Sequence, residues 1–286
     1  MSKILTHLHV FYHDQVDYFI EKLKNINGIN WDLVVTFSSP SAETEAKIRK
    51  FKPDAVFLQT ENIGYDIYPF IHVIRNINLD EYDYVIKLHT KRAVRKCRVN
   101  VIPLKGWEWR NALVDGVLYS PGHFKKVIQT LEQNPDVGMI SNLLTYSKRN
   151  WDSYSPWIEN EMKKLGLECK DNHFCMGTMM IARSSVLKPL QNPLITRETF
   201  LDTISDTQRD FKSAHYYERL ISVLPASFGL HHLPLSPRKR DAAWINLVRF
   251  PEKPFRWIFC IEKKGPQKRK FLRIFGLEFF LEPPKR

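Results

Sequence analysis

Apolar positions along the chain alternate between short runs and helical spacing. Leu5 to Tyr12 is an apolar run broken by His7 and His9, and it reads as a first strand. From Asp14 to Leu23 the apolar residues fall at 16, 19, 20 and 23, one helix face. Trp31 to Phe37 predicts a second strand, Thr44 to Phe51 a short helix, and Ala55 to Leu58 a short buried strand. Ile67, Phe70, Ile71 and Ile74 share a helix face, and Tyr84 to Leu88 is a further apolar strand. Later helices are predicted over Gly106–Leu118, Pro121–Leu131, Glu159–Leu165, Val186–Leu190 and Ala214–Val223. Later strands are predicted over Val137–Ser141, Phe174–Ala182 and Gly229–Leu235. This alternation predicts an α/β fold with a mostly parallel central sheet. Ala93 to Lys105 is basic and without a period, which predicts a mobile loop of the kind that closes over a substrate.

The stretch from 54 to 92 organises the rest. A strand ends in Glu61-Asn62-Ile63-Gly64-Tyr65-Asp66, a helix follows, and the next strand ends in His89-Thr90-Lys91-Arg92. Ligand crevices of parallel sheets lie at the carboxyl ends of strands, and both polar clusters stand there. Asn62, Asp66, His89, Lys91 and Arg92 are therefore expected on one rim. The residues alone leave a second reading open, in which Asn62-Ile63-Gly64 is a tight turn and Asp66 a helix cap.

Composition narrows the class. At 43% hydrophobic and 13% aromatic, 286 residues are enough for a packed core in one or two domains. No run of 18 apolar residues occurs, and the amino-terminal stretch lacks a signal-peptide pattern, so a cytoplasmic location is expected. Cys97, Cys169, Cys175 and Cys260 form no CxxC pair and are read as free thiols. The net charge of +12 is concentrated at one end. Residues 236–286 hold fourteen Lys or Arg against five Asp or Glu, leaving residues 1–235 close to neutral. A boundary is placed at 235/236, with an α/β domain before it and a basic, aromatic C-terminal extension after it. If helical, residues 268–277 would gather Phe271, Ile274 and Phe275 on one face, suiting an anionic membrane surface; a short strand pair packed back on the domain, or a tail without order, is the alternative.

Two motifs carry a resemblance. Asn-x-Gly-x-Asp-x-x-Pro-Phe (Asn62 to Phe70) and Lys-Leu-His-Thr-Lys (Lys87 to Lys91) resemble the rhamnan synthesis protein F family of bacterial glycosyltransferases. Gly177-Thr178-Met179-Met180 with Arg183, and His215-x-x-Glu218-Arg219, fit the same family, over roughly residues 7 to 235. The resemblance implies a GT-A-like, Rossmann-type domain that transfers a sugar, such as rhamnose or another deoxysugar, from a nucleoside-diphosphate donor. The acceptor it implies is a growing surface glycan or lipopolysaccharide, free or lipid-linked.

Such a transfer needs a base for the acceptor hydroxyl and a holder for the charge on the leaving diphosphate. Many GT-A enzymes use an Asp-x-Asp pair and a divalent metal at the strand end that here reads His89-Thr90-Lys91. With no acid in that place, His89, Lys91 and Arg92 are expected to meet the diphosphate as fixed cations, without metal or cofactor. Asn62, Gly64 and Asp66 match the family motif and are assigned to the donor. Glu218, three residues from His215 on one helix face, is the candidate base, with Asp206 and Asp210 as alternatives. Gly177 and Thr178 are expected at the donor–acceptor junction. An inverting outcome follows if one base suffices. His231 and His232 are adjacent, so they point to opposite sides of a strand and suit packing rather than metal binding. His13-Asp14 is favoured as a helix start over a nucleotide contact.

Two other classes compete with the enzyme. Charge and aromatics raise a nucleic-acid binder, against which no binding motif appears and the basic residues sit outside the α/β body. A membrane-associated scaffold with an inactive site is the other, because the usual metal motif is missing.

Overall fold

The computed structural model describes residues 2–99, 102–148, 155–168, 173–203, 212–238, 259–264, 269–274 and 277–280. The elements come in the order β1 (Lys3–Val10), α1 (Val16–Leu23), β2 (Asn30–Phe37), α2 (Ala42–Phe51), β3 (Val56–Gln59), α3 (Ile67–Arg75) and β4 (Tyr84–His89). Next are β5 (Val94–Val99), β6 (Ile102–Gly106), α4 (Glu108–Leu118), α5 (Pro121–Gln133), β7 (Val137–Asn142), β8 (Tyr146–Lys148) and α6 (Ser155–Lys164). Then follow β9 (His173–Cys175), β10 (Met180–Arg183), α7 (Ser184–Leu187), α8 (Ser213–Ser227) and β11 (His231–Leu235). The last strands are β12 (Phe259–Lys264), β13 (Arg269–Ile274) and β14 (Leu277–Phe280).

Seven strands form one sheet in the order β11-β7-β10-β4-β1-β2-β3. All run parallel except β10, which is antiparallel to both β4 and β7. The fold is therefore α/β and Rossmann-like, with a mostly parallel central sheet. Alternation along the strands splits the core between two faces. Leu5, Val34 and Val85 join Phe70, Ile74, Tyr217, Leu220 and Leu224 from α3 and α8 in one buried cluster. Ile4, Leu33, Val35, Tyr84 and Ile86 join Phe19, Val114, Val117 and Phe124 from α1, α4 and α5 in the other.

Several elements differ from their expectations. The strand expected to be buried at Ala55–Leu58 is β3 at the sheet edge, with Val56 52% exposed, because only β2 flanks it. Residues 93–105 carry an antiparallel pair, β5 with β6, in place of an irregular loop. Phe174–Ala182 is two strands, not one: Gly177 (φ +77) and Thr178 (φ +41) turn the chain between β9 and β10. A left-handed pair breaks a strand, and only glycine adopts it without steric cost.

By contacts the chain divides into two compact units, Met1–Pro237 and Arg238–Arg286. In the second, β12, β13 and β14 form an antiparallel sheet, so the described part of 268–277 is strand and not helix. Phe271, Leu272 and Ile274 favour extended backbone once a neighbouring strand is present to pair with it. Lys268, Phe275 and Gly276 lie outside the described residues.

Candidate active site

The paired strands β1 and β4 carry the same short pattern. His7-Leu8-His9 lies in register with Lys87-Leu88-His89. Period two puts the leucines on one face of the sheet and the four polar residues on the other. All four polar side chains are buried. Thr36 on β2, opposite His9, completes the polar patch. Its hydroxyl lies 2.9 Å from His7 Nε2 and 2.9 Å from His9 Nδ1, so it donates to one ring and accepts from the other. Phe70 of α3 closes the patch from beside it, with its ring 5.6 Å from the His7 ring and 5.6 Å from Lys87 Nζ.

Asp66 supplies the counter-charge. It stands at the N-cap position of α3, yet its side chain makes no capping bond. Instead Asp66 Oδ2 lies 2.5 Å from Lys87 Nζ and 3.2 Å from His89 Nδ1. Lys87 also donates to Thr178 Oγ1 at 3.0 Å. Burial works against the charge of Asp66, but the Lys87 and Lys91 ammoniums overcome it, leaving the carboxyl well below its usual range. Burial pushes His89 well below its ordinary value despite Asp66, and Lys87 adds to the effect. The two pulls resolve with Asp66 ionised and His89 neutral, because Lys87 already provides the positive partner. His89 is thus not the fixed cation expected from its place beside Lys91. Burial lowers His9 in the same way, to about 4.

A cavity of about 380 Å³ opens above this patch. Its lining includes Asn62, Asp66, His89, Lys91 and Arg92 from the ends following β3 and β4, and His215 and Glu218 from α8. Phe11, Tyr12 and Tyr65 add aromatic surface. The backbone of Lys91 is fixed by Gln15, which donates to its carbonyl at 2.9 Å and accepts from its N–H at 3.2 Å. Thr90 Oγ1 accepts from the N–H groups of Phe11 and Tyr12 at 2.9 and 3.0 Å. The carboxyl ends of β1 and β4 are thereby tied together under the cations.

Helix α8 begins where Asp202 Oδ2 accepts from the N–H of Ser213 at 2.6 Å and from its hydroxyl at 2.9 Å. Tyr217, Leu220, Ile221 and Leu224 bury one side of the helix. His215 and Glu218 then share the side lining the cavity. Glu218 Oε1 accepts the N–H of Gly177, and Oε2 lies 3.6 Å from the Arg219 guanidinium. Gly177 and Thr178 do not line the cavity. They stand behind it, Gly177 holding Glu218 and Thr178 holding Lys87. Gly64 also stands behind, its N–H donating to Thr203 Oγ1 at 2.7 Å.

Of the remaining candidates, Asp206 and Asp210 lie outside the described residues, as does Cys169. Cys175 is a buried free thiol. His232 is buried between Ser141 Oγ, 2.8 Å from its Nε2, and the Ser222 carbonyl, while His231 is exposed. His13 contacts Thr44 Oγ1 and the Ser39 carbonyl, away from the cavity. Lys87 and Thr36 were missed as site residues. The signal for Lys87 was present: a lysine inside an apolar strand, two residues from a histidine.

An α/β sheet with a polar, part-cationic cavity at its carboxyl edge belongs to the Rossmann-like class of folds. The chain belongs to the rhamnan synthesis protein F family, whose model matches residues 1–227. The family is described by its part in rhamnan synthesis. It is also similar to the uncharacterized protein WxcX of Xanthomonas campestris pv. campestris. Identity is 24% over 230 residues in strain B100 and 23% over 230 residues in strain ATCC 33913. The match covers 78% of this chain but 31% of each relative, so the chain spans about a third of the length of the curated relatives it matches.

Proposed function

We propose that the chain is a glycosyltransferase with a GT-A-like catalytic domain. It moves a sugar, of the rhamnose or deoxysugar type, from a nucleoside-diphosphate donor to a hydroxyl of a growing surface glycan. The observation that carries this is a single cavity with two cations, Lys91 and Arg92, at the end of β4 and a held carboxylate, Glu218, on α8. Family membership in rhamnan synthesis supports a deoxysugar as the substrate class.

In this reading the acceptor oxygen attacks the anomeric carbon while the bond from that carbon to the phosphate oxygen breaks. The acceptor proton passes to Glu218, and the nucleoside diphosphate leaves with its charge met by Lys91 and Arg92. One displacement inverts the anomeric centre. His89-Thr90-Lys91 brings no carboxylate to the end of β4, and the nearby Asp66 is engaged by Lys87. Transfer is therefore expected to proceed without a divalent metal.

The test is a thermal-shift and transfer screen of nucleotide sugars, with and without EDTA. Stabilisation by a nucleoside-diphosphate deoxysugar and transfer that survives EDTA are expected. Activity lost to EDTA and restored by manganese would overturn metal independence. Lys91→Ala should weaken donor binding, since it removes one cation from the cavity; unchanged donor affinity would leave Lys91 a solvated side chain.

We further propose that the chain works at the cytoplasmic face of the membrane, where lipid-linked acceptors are presented. The basic composition of 236–286 supports attachment to anionic lipid.

A further inference from the structure

Among the described residues, two other than glycine hold a left-handed backbone, Tyr65 (φ +53) and Thr178 (φ +41). Both stand beside the cavity. Such a conformation costs about 1–2 kcal/mol for a residue with a side chain, and residues held in it cluster at functional sites. Thr178 has a structural account, because its buried hydroxyl accepts from Lys87. The Tyr65 side chain is not in the core but 45% exposed, and it lines the cavity.

The loop around Tyr65 leaves it little choice of backbone. Ile63 is buried in the core, the N–H of Gly64 is bound by Thr203, and Asp66 is bound by Lys87. Gly64 is itself left-handed (φ +63), and a Cβ there would come within 2.5 Å of Tyr68 Cβ. The result is an aromatic ring fixed at the mouth, 5.7 Å from the ring of His215. His215 shares a helix face with Glu218. The cavity thus has Lys91 and Arg92 at the β4 end, and an aromatic and imidazole pair beside the carboxylate at the α8 end.

We propose that Tyr65 is the acceptor platform of the transfer reaction. A pyranose ring of the glycan acceptor lays its C–H face on the Tyr65 ring, with its reacting hydroxyl towards Glu218. The electron-rich face of an aromatic ring suits the polarised C–H groups of a neutral sugar, while the charged diphosphate belongs at the cationic end. This assignment rests on the glycosyltransferase reading above and adds the residue that holds the acceptor. Tyr65 is a binding residue and takes no proton.

The test uses the full chain, with a rhamnan oligosaccharide as glycan probe and dTDP-rhamnose and UDP-rhamnose as donor probes, each titrated separately by calorimetry. Tyr65→Asn removes the ring with a residue that tolerates the left-handed region. Glycan affinity should fall about tenfold, donor affinity should stay within about twofold, and the melting temperature should hold or rise. Tyr65→Phe should retain glycan affinity. Equal glycan affinity in Tyr65→Asn would overturn the platform. So would a loss confined to the donors, which would assign the ring to the nucleobase. A lowered melting temperature with both affinities reduced would make Tyr65 structural. If the unmodified chain binds neither donor nor glycan, the glycosyltransferase reading itself falls; if it binds both and Tyr65→Asn changes neither, only the platform does.

Discussion

Asp66 stands at the N-cap position of α3 yet makes no side-chain capping bond there, turning its carboxylate to Lys87 Nζ at 2.5 Å. The pair joins the loop after β3 to the middle of β4, and Lys87 extends the connection to Thr178. Lys87 is fully buried, and Asp66 is its counter-charge. Breaking one side of such a pair costs about 3–5 kcal/mol, because a buried charge is left uncompensated. Asp66→Asn should destabilise the protein by about that much in a urea titration. Lys87→Met with Asp66→Asn should destabilise it by less than the sum of the single changes. Additive losses would show that the two side chains act independently.

The buried rings give stability a pH dependence of definite sign. His9 falls to about 4 in the folded chain, and His7 and His89 also fall well below their ordinary value of 6.5. In each case burial is the largest cause. The unfolded chain then binds more protons than the folded one between about pH 6.5 and pH 4. Stability is complete above pH 6.5 and declines as pH falls through that window, by up to about 1.4 kcal/mol per pH unit for each ring. Asp66, held ionised by Lys87, adds a loss of the same sign near and below the unfolded carboxylate value of about 3.9. Urea midpoints at pH 7, 6 and 5 should decrease in order. A midpoint constant from pH 7 to pH 5 would mean that the rings titrate as they do in water.

Much of this fold was legible because period and turn chemistry agree. The helix at 67–75 and the strand at 84–89 follow from apolar spacing alone. Sheet order was not legible: Ala55–Leu58 looked buried, yet nothing local distinguishes an edge strand from a central one when both are short and apolar. Phe174 to Ala182 looked like one strand because a left-handed turn at Gly177 and Thr178 interrupts an apolar run without any change of composition. In the cavity, Asn62, Asp66, His89, Lys91 and Arg92 could be placed together from two strand ends. The protonation state of His89 could not, since it depends on Lys87, which is opposite His7 on the neighbouring strand. The repeated His-Leu-His and Lys-Leu-His pattern was the readable trace of that buried patch.

Glu218 and Gly177 form one unit, and their variants should behave differently from each other. Glu218→Gln keeps an oxygen for the Gly177 N–H, so folding should be retained while turnover falls by ~10²-fold or more. Gly177→Ala places a Cβ on a left-handed backbone, 2.8 Å from Leu113 Cδ2. It should lower stability by about 1–2 kcal/mol and reduce turnover by displacing the N–H that holds Glu218. Single-turnover rates alongside melting curves separate the two. Normal turnover in Glu218→Gln would remove it as the base and bring Asp206 and Asp210 forward.

The C-terminal unit offers the last test. Residues 236–286 hold fourteen Lys or Arg against five acids, and three of their segments pair as the antiparallel sheet β12-β13-β14. Attachment of this unit to lipid is expected to depend on its charge. Each Lys or Arg near anionic lipid contributes ~1 kcal/mol, and the attraction is screened by salt. The full chain should therefore sediment with vesicles containing phosphatidylglycerol and remain in solution with phosphatidylcholine alone. Binding should weaken as salt is raised. A chain ending at Pro237, where the first compact unit ends, should stay in solution with both vesicles. Replacing Lys268, Arg269 and Lys270 by glutamate in the full chain changes the charge by about six units without shortening the protein, and should release it from anionic vesicles. Equal partition of the two chain lengths, or binding indifferent to lipid charge, would separate the C-terminal sheet from the membrane and leave its basic residues to another role.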